Sequence, residues 1–274
     1  MTNKMKKIID WRGPIKGMLI NLQFFTIVPI PYELPMDKKH MTYAVKFFPL
    51  LGLLQGAIFV GALYLLTNYT PFSTLATAFI LWLLTIIVTG GLHIDGWMDA
   101  SDAFFSYQQI DKRLEIMKDP RTGAFGVISV IILLSGRFLF IYEIIDMLST
   151  SSFIFILTLP FLSKSLMGYL LLNVPAAKQE GLGHFFQKSV PKNALFIYPF
   201  YILLYLVFVI LFYHQVIEFV LILILITLLA GFFFKRKIIK WFSGITGDVL
   251  GASVEGVEWI LWMSIWLLHY FATV

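Results

Sequence analysis

Apolar residues fall in eight long runs, at roughly 15–31, 42–66, 72–92, 125–145, 151–172, 194–213, 216–234 and 250–272. Each is rich in Leu, Ile, Val and Phe. Most reach the length of about 20 residues that a helix needs to cross the bilayer hydrocarbon. None shows the short apolar–polar alternation of a barrel strand. The pattern predicts an all-α fold, a polytopic membrane helix bundle. The first run is the exception. It is short, contains Asn21 and Gln23, and ends in Pro29, Ile30 and Pro31. It is expected to form an N-terminal re-entrant or interfacial helix, which leaves about seven transmembrane helices. Residues 1–274 are expected to form a single integral membrane domain. One long polar stretch, about 93–124, interrupts the apolar pattern. It exceeds an ordinary connection, so the chemistry is sought there first, as a cytoplasmic active-site loop.

Composition agrees with this reading. Hydrophobic residues make up 59 % of the 274 residues and charged ones 14 %, against roughly 25 % charged in soluble domains. A soluble globular enzyme, a disordered tail and a disulfide scaffold are excluded. The chain has no cysteine, which rules out thiolate metal ligands and cysteine nucleophiles. The net charge of +5 is assigned to membrane topology and contact with membrane lipid, not to nucleic acid. Three loops carry the basic residues: Lys112, Arg113, Lys118 and Arg121 in the first, Lys178, Lys188 and Lys192 in the second, Lys235, Arg236, Lys237 and Lys240 in the third. The loops between them, near 67–71, 146–150 and 214–216, have no Lys or Arg. The positive-inside rule then places the basic loops in the cytoplasm. It puts the N-terminus, with Lys4, Lys6, Lys7, Arg12 and Lys16, inside and the C-terminus outside. That N-terminus lacks a small-residue cleavage site after its apolar run and is not read as a signal peptide.

Three features carry candidate chemistry. Asp95, Asp99 and Asp102 recur at i, i+4 and i+7, which puts them on one helical face. Like charges at that spacing repel. Beside an apolar span they are costly unless something positive offsets them, which favours a divalent cation over a merely solvated acidic helix. A hard ion such as Mg²⁺ suits all-carboxylate donors. Zinc suits them poorly, with only His93 nearby and no His-Glu-x-x-His pattern. His93 is open between general base, phosphate donor and plain surface residue. The second feature is Lys118, Asp119 and Arg121, just before Gly123 and Gly126. Arg and Lys can hold phosphate; a juxtamembrane anchor is the plainer alternative. The third is Thr246, Gly247 and Asp248 at the start of the last run, with Glu255 and Glu258 inside it. Acids inside a span are functional candidates by default. Two readings stand open for Arg137 and Lys164: pairing with Glu255 or Glu258 inside the bundle, or contact with a phosphate from the cytoplasmic face. Acids beside Arg and Lys at a membrane surface suit Mg²⁺-dependent transfer of a phosphate-linked group.

The same residues resemble a known family. Gly90–Gly96 (Gly-Gly-Leu-His-Ile-Asp-Gly), Ile116–Asp119 with Arg121–Gly126, Glu180–Gly183 (Glu-Gly-Leu-Gly) and Thr246–Ala252 (Thr-Gly-Asp-Val-Leu-Gly-Ala) are similar to cobalamin synthase, also called adenosylcobinamide-GDP ribazoletransferase. The matches keep their order along nearly the whole chain. Ala103, Pro120 and Lys164 depart from the family pattern, where Gly, Ser and Arg are expected. The resemblance implies a Mg²⁺-dependent enzyme of a bacterial or archaeal cytoplasmic membrane. It would join adenosylcobinamide-GDP to α-ribazole or its 5′-phosphate and release GMP. On this reading Asp95, Asp99, Asp102 and Asp248 hold the metal. Lys118 and Arg121 hold the diphosphate, and Asp119, Arg137, Lys164, Thr246 and Glu255 bind substrate. His93 or a metal-ligating aspartate activates the ribazole hydroxyl. A homo-oligomer is compatible with the sequence. Two alternatives remain: a phospholipid transferase using a nucleotide-activated alcohol, whose Asp-x-x-Asp-Gly-x-x-Ala-Arg order is missing, and a transporter, for which no internal repeat is found.

Overall fold

The computed structural model describes residues 12–272. Lys4, Lys6 and Lys7 therefore lie outside the described residues. Among these, the chain forms α-helices α1 (Arg12–Phe25), α2 (Lys38–Lys46), α3 (Phe48–Tyr69), α4 (Thr74–Thr89), α5 (Leu92–Phe105), α6 (Ile110–Ile116), α7 (Ala124–Asp146), α8 (Thr150–Asn173), α9 (Gly181–Ser189), α10 (Tyr198–Phe212), α11 (Ile217–Phe242) and α12 (Gly247–Phe271). Short 3₁₀ turns at Lys192–Ile197 and His214–Val216 lead into α10 and α11. The described residues contain no strand, only an isolated bridge between Ala176 and Ile245. The all-α expectation holds.

Helix α8 is the axis of the bundle. It is buried on every side from Ile154 to Leu172, apart from Leu157 and Tyr169. In lipid there is no hydrophobic gain from helix pairing, so close van der Waals fit must supply it. Gly52 and Gly56 of α3 provide that fit. A Cβ on Gly52 would stand 2.2 Å from the carbonyl oxygen of Pro160, and one on Gly56 2.7 Å from that of Leu157. Helices α12, α11 and α7 close around α8 and α5.

Five helical stretches are long and apolar enough to cross a membrane: Phe48–Tyr69, Ala124–Asp146, Thr150–Asn173, Lys192–Phe212 and His214–Phe242. The number rises to six if α4 and α5, bent by 85°, make one broken span. The expected seven is not reached by this measure, for two reasons. Helix α4 has only 16 residues, about 24 Å at helical rise. Helix α12 has 25 residues, but Asp248, Glu255 and Glu258 reduce its apolarity. Helix α1 has 14 described residues, about 21 Å at helical rise. The polar stretch 93–124 is mostly helical, in α5 and α6.

Candidate active site

The site begins at a corner. Helix α4 ends at Gly90, and Gly91 precedes α5; both have positive φ, +64° and +75°. That conformation strains any residue with a Cβ. The corner turns the chain by 85° between α4 and α5 and sets α5 against α12 and α7. There α5 crosses the first turn of α12 at backbone contact. A Cβ on Gly96 would stand 2.7 Å from the carbonyl oxygen of Asp248. Thr246 caps α12, its hydroxyl accepting from the Val249 N–H at 3.1 Å.

This crossing brings together two acids that are 153 positions apart in the chain. Asp95 is exposed and Asp248 half-buried. Both line a cavity of about 150 Å³ together with His93, Phe25 and Gly251. Asp99 lies one turn further along α5. Burial first, and then the charges of Asp95, Asp248 and Asp102, push its carboxyl up to about 6. Burial and the nearby Asp95 also raise Asp248. Asp102 has a separate task. Its carboxylate accepts the Gly123 N–H at 2.7 Å and the Gly126 N–H at 2.8 Å, capping the start of α7. Neither glycine has room for a Cβ, which would stand 2.4 Å from an Asp102 oxygen. The acidic stripe read from the sequence is thus divided, with Asp95 and Asp99 facing Asp248 and Asp102 committed to α7.

His93 forms the floor of the cavity. It is 3 % exposed and stacks on Phe25 with centroids 6.1 Å apart. Its Nε2 is buried and makes no hydrogen bond to the described residues. Burial, and then the charge of Lys164, push the imidazole down to about 3. The ring is therefore neutral near pH 7.

The basic segments gather at the same end. Lys178 donates to the Leu114 carbonyl at 2.8 Å, and Arg113 donates to the Trp241 carbonyl at 3.1 Å. The Ala177 N–H donates to Ile245 O at 3.0 Å, and the Ile245 N–H to Pro175 O at 2.8 Å. These bonds draw the α6 region, the α8–α9 loop and the α11–α12 loop into one cluster. Lys118 is exposed and pairs with Glu180. Arg121 is exposed and folds back on Asp119, its Nε 2.9 Å from Oδ1. Sequence reasoning missed Lys178 as a site residue because a lone loop lysine reads as a topology signal.

Three expected substrate-binding residues are buried in the bundle interior, and the charges of two of them, Lys164 and Arg137, reach His93. Arg137, Lys164 and Glu255 are 1 %, 0 % and 2 % exposed. Arg137 pairs with Glu255. Lys164 donates to Glu258 at 3.1 Å, and Ser163 donates to the same oxygen at 2.7 Å. Of the two readings of Arg137 and Lys164, the structure shows the pairing with acids inside the bundle.

A larger cavity of about 820 Å³ lies on the opposite face of α5, between α7, α11 and α12. Its lining is apolar, with Trp97, Phe104 and Trp259 prominent, and it contains none of the carboxylates.

Among the described residues, no three of His, Asp and Glu converge closely enough to hold a metal ion by themselves. That does not disfavour Mg²⁺, which commonly takes one or two carboxylates and completes its shell with water and substrate phosphate. Asp95 and Asp248, which line one cavity, are the two carboxylates available there for such a role.

No solved structure matches the chain. Curated relatives match it over nearly their full length. It is 39 % identical to an adenosylcobinamide-GDP ribazoletransferase of Geobacillus sp. (strain WCH70), covering 94 % of this chain and 98 % of the relative. It is 38 % identical to that of Geobacillus kaustophilus, over 92 % and 96 %. It is 32 % identical to that of Clostridium botulinum (strain Alaska E43), over 87 % and 92 %. The profile of cobalamin-5-phosphate synthase matches residues 17–266. With site motifs and sequence relationship in agreement, the chain belongs to the cobalamin-5-phosphate synthase family of transferases.

Proposed function

We propose that this enzyme joins adenosylcobinamide-GDP to α-ribazole or its 5′-phosphate at the crossing of α5 and α12, with release of GMP. The observation that carries this reading is the set of carboxyls at that crossing. Asp95 and Asp248 share one cavity beside a cluster of basic residues, and burial together with their charges pushes the Asp99 carboxyl up to about 6. Such an arrangement costs stability, and a phosphoryl-transfer site accounts for the cost.

The ribazole hydroxyl oxygen attacks the phosphorus that carries cobinamide. A new P–O bond forms there, and the bond from that phosphorus to the bridging oxygen of the diphosphate breaks. GMP leaves with the bridging oxygen. The hydroxyl proton passes to Asp99, whose raised pKa matches base work near neutral pH. Lys118 and Arg121 take up negative charge on the leaving nucleotide. Asp95 and Asp248 would hold Mg²⁺, which supplies charge neutralisation on the phosphate oxygens when bound. His93 closes the floor of the cavity as a neutral ring. The site faces the cytoplasm of a bacterial or archaeal cell membrane, because the basic segments collect at its end of the bundle.

The test uses purified protein in nanodiscs with adenosylcobinamide-GDP, α-ribazole phosphate and Mg²⁺. Chromatography follows GMP and the corrin product. The expected result is stoichiometric GMP and cobalamin phosphate, abolished by EDTA. Absence of product from folded protein would overturn the reading, and product unaffected by EDTA would overturn the metal assignment.

A further inference from the structure

Lys178 lies in the loop between α8 and α9, and two features fix its ammonium in place. The pairing of Pro175 and Ala177 with Ile245 pins its loop to the residue just before the Thr246 cap. Its Nζ donates to the Leu114 carbonyl, which anchors it against α6. The Lys118 ammonium lies beside it, and the acids whose charges reach it are Glu180 and Asp248. Burial and the charge of Lys118 both disfavour its protonated form. Two ammonium groups side by side repel each other. The acid that joins them, Glu180, is exposed and bonded to Lys118. A protein gains nothing from holding two lysines together beside an exposed glutamate that one of them could meet alone in solvent. The arrangement gains when a doubly charged anion, with oxygens for both, takes the place of Glu180.

We propose that Lys178 and Lys118 together grip the diphosphate of the nucleotide-activated substrate, and that Glu180 occupies Lys118 until the diphosphate displaces it. This rests on the transferase reading above and adds to it a phosphate-binding residue and a built-in competitor. Lys178 approaches from the Asp248 side and is fixed by α6. Lys118 approaches from the open side and exchanges partners. The diphosphate is thereby held next to Asp95 and Asp248, where the attacked phosphorus must lie.

The experiment compares Lys178→Ala, Lys178→Gln, Lys178→Arg and Glu180→Gln in nanodiscs. One readout is KM for each substrate; the other is calorimetric binding of inorganic pyrophosphate, which needs no turnover. Lys178→Ala should raise KM for adenosylcobinamide-GDP by about 10- to 100-fold, the worth of a hydrogen bond from a charged group. KM for α-ribazole phosphate should stay within about threefold. Lys178→Gln keeps a donor for the Leu114 carbonyl without the charge, and should be as defective as Lys178→Ala. Lys178→Arg should recover most of the loss. Glu180→Gln should bind pyrophosphate more tightly than the unmodified protein. A Gln variant that behaves like the unmodified protein would reduce Lys178 to a structural tether and overturn the proposal. Equal rises in both KM values would do the same, as would pyrophosphate binding that ignores residue 178. If the unmodified protein binds pyrophosphate through Lys178 but makes no product, the anion site stands and the transferase reading falls.

Discussion

Helix α12 carries acids into two different settings, and they behave in opposite ways. In the interior, Glu255 and Glu258 each meet a buried cation, Arg137 and Lys164, and Ser163 adds a further donor. At the end of the bundle, Asp248 meets Asp95 and Asp99 instead, so like charges face one another and Asp99 resists ionisation. The interior arrangement is neutral and closed. The terminal one is unbalanced and open to solvent through Asp95. On the proposed function, charge placed for structure is matched within the chain, and charge placed for chemistry is left for the substrate and its cation to match.

The largest expected effects come from breaking each arrangement once. Glu255→Ala would strand Arg137 in the bundle. Removing one member of a buried pair costs about 3–5 kcal/mol, so this variant should fail to accumulate as folded protein or should melt far below the unmodified one. Thermal melting in detergent measures this. Arg137→Met combined with Glu255→Leu should recover much of the loss, because an apolar pair of similar volume leaves no unpaired charge. Asp95→Ala should do the reverse. Activity should fall by about 10²–10³-fold, as when one group stabilising the transition state is lost, while the melting temperature holds or rises.

Asp102 sharpens the comparison, because it belongs to the acidic stripe by spacing but to the structural set by its bonds. Asp102→Ala leaves the Gly123 and Gly126 N–H groups unmet. It should cost about 1–2 kcal/mol, in line with a lost helix cap. Activity per folded molecule should fall far less than for Asp95→Ala.

The effect of pH on stability is smaller still. Asp99 has a folded pKa of about 6 against an ordinary 3.8. Between those values the folded state holds a proton that the unfolded chain releases, so stability falls as pH rises through that window. Asp99→Asn should remove this fall and raise the melting temperature at pH 7.5 in EDTA by roughly 2–4 °C. Because the same substitution removes the proposed base, the rate itself should also fall, by about 10²–10⁴-fold, and lose its rise through pH 6.

Much of this was legible in the chain itself. The apolar runs specify the helices, and the i, i+4, i+7 spacing places Asp95, Asp99 and Asp102 on one face whatever surrounds them. Three things were not legible, for physical reasons. Polar composition gave no sign of how α5 is held, by Gly96 and His93 against α12 and by Ala100 and Ala103 in the core with Phe104 packed against it. The commitment of Asp102 to α7 depends on two backbone N–H groups more than 20 positions away, which no local pattern encodes. The neighbours of Lys178 come from α6 and α12, so its sequence context carries only a loop lysine. Arg137 and Lys164 were legible as buried charges but not as pairs, since choosing between an internal acid and a substrate phosphate requires knowing which helix faces which.

The central claim is that the open acids serve chemistry and the closed ones serve the fold. The most direct measurement is GMP release per folded molecule by Asp95→Ala, with its melting temperature taken on the same sample. The account predicts a rate about 10²–10³-fold below the unmodified enzyme and a melting temperature no lower than that of the unmodified protein. A rate within about threefold of the unmodified enzyme, or a loss of activity that follows a loss of folded protein, would contradict it.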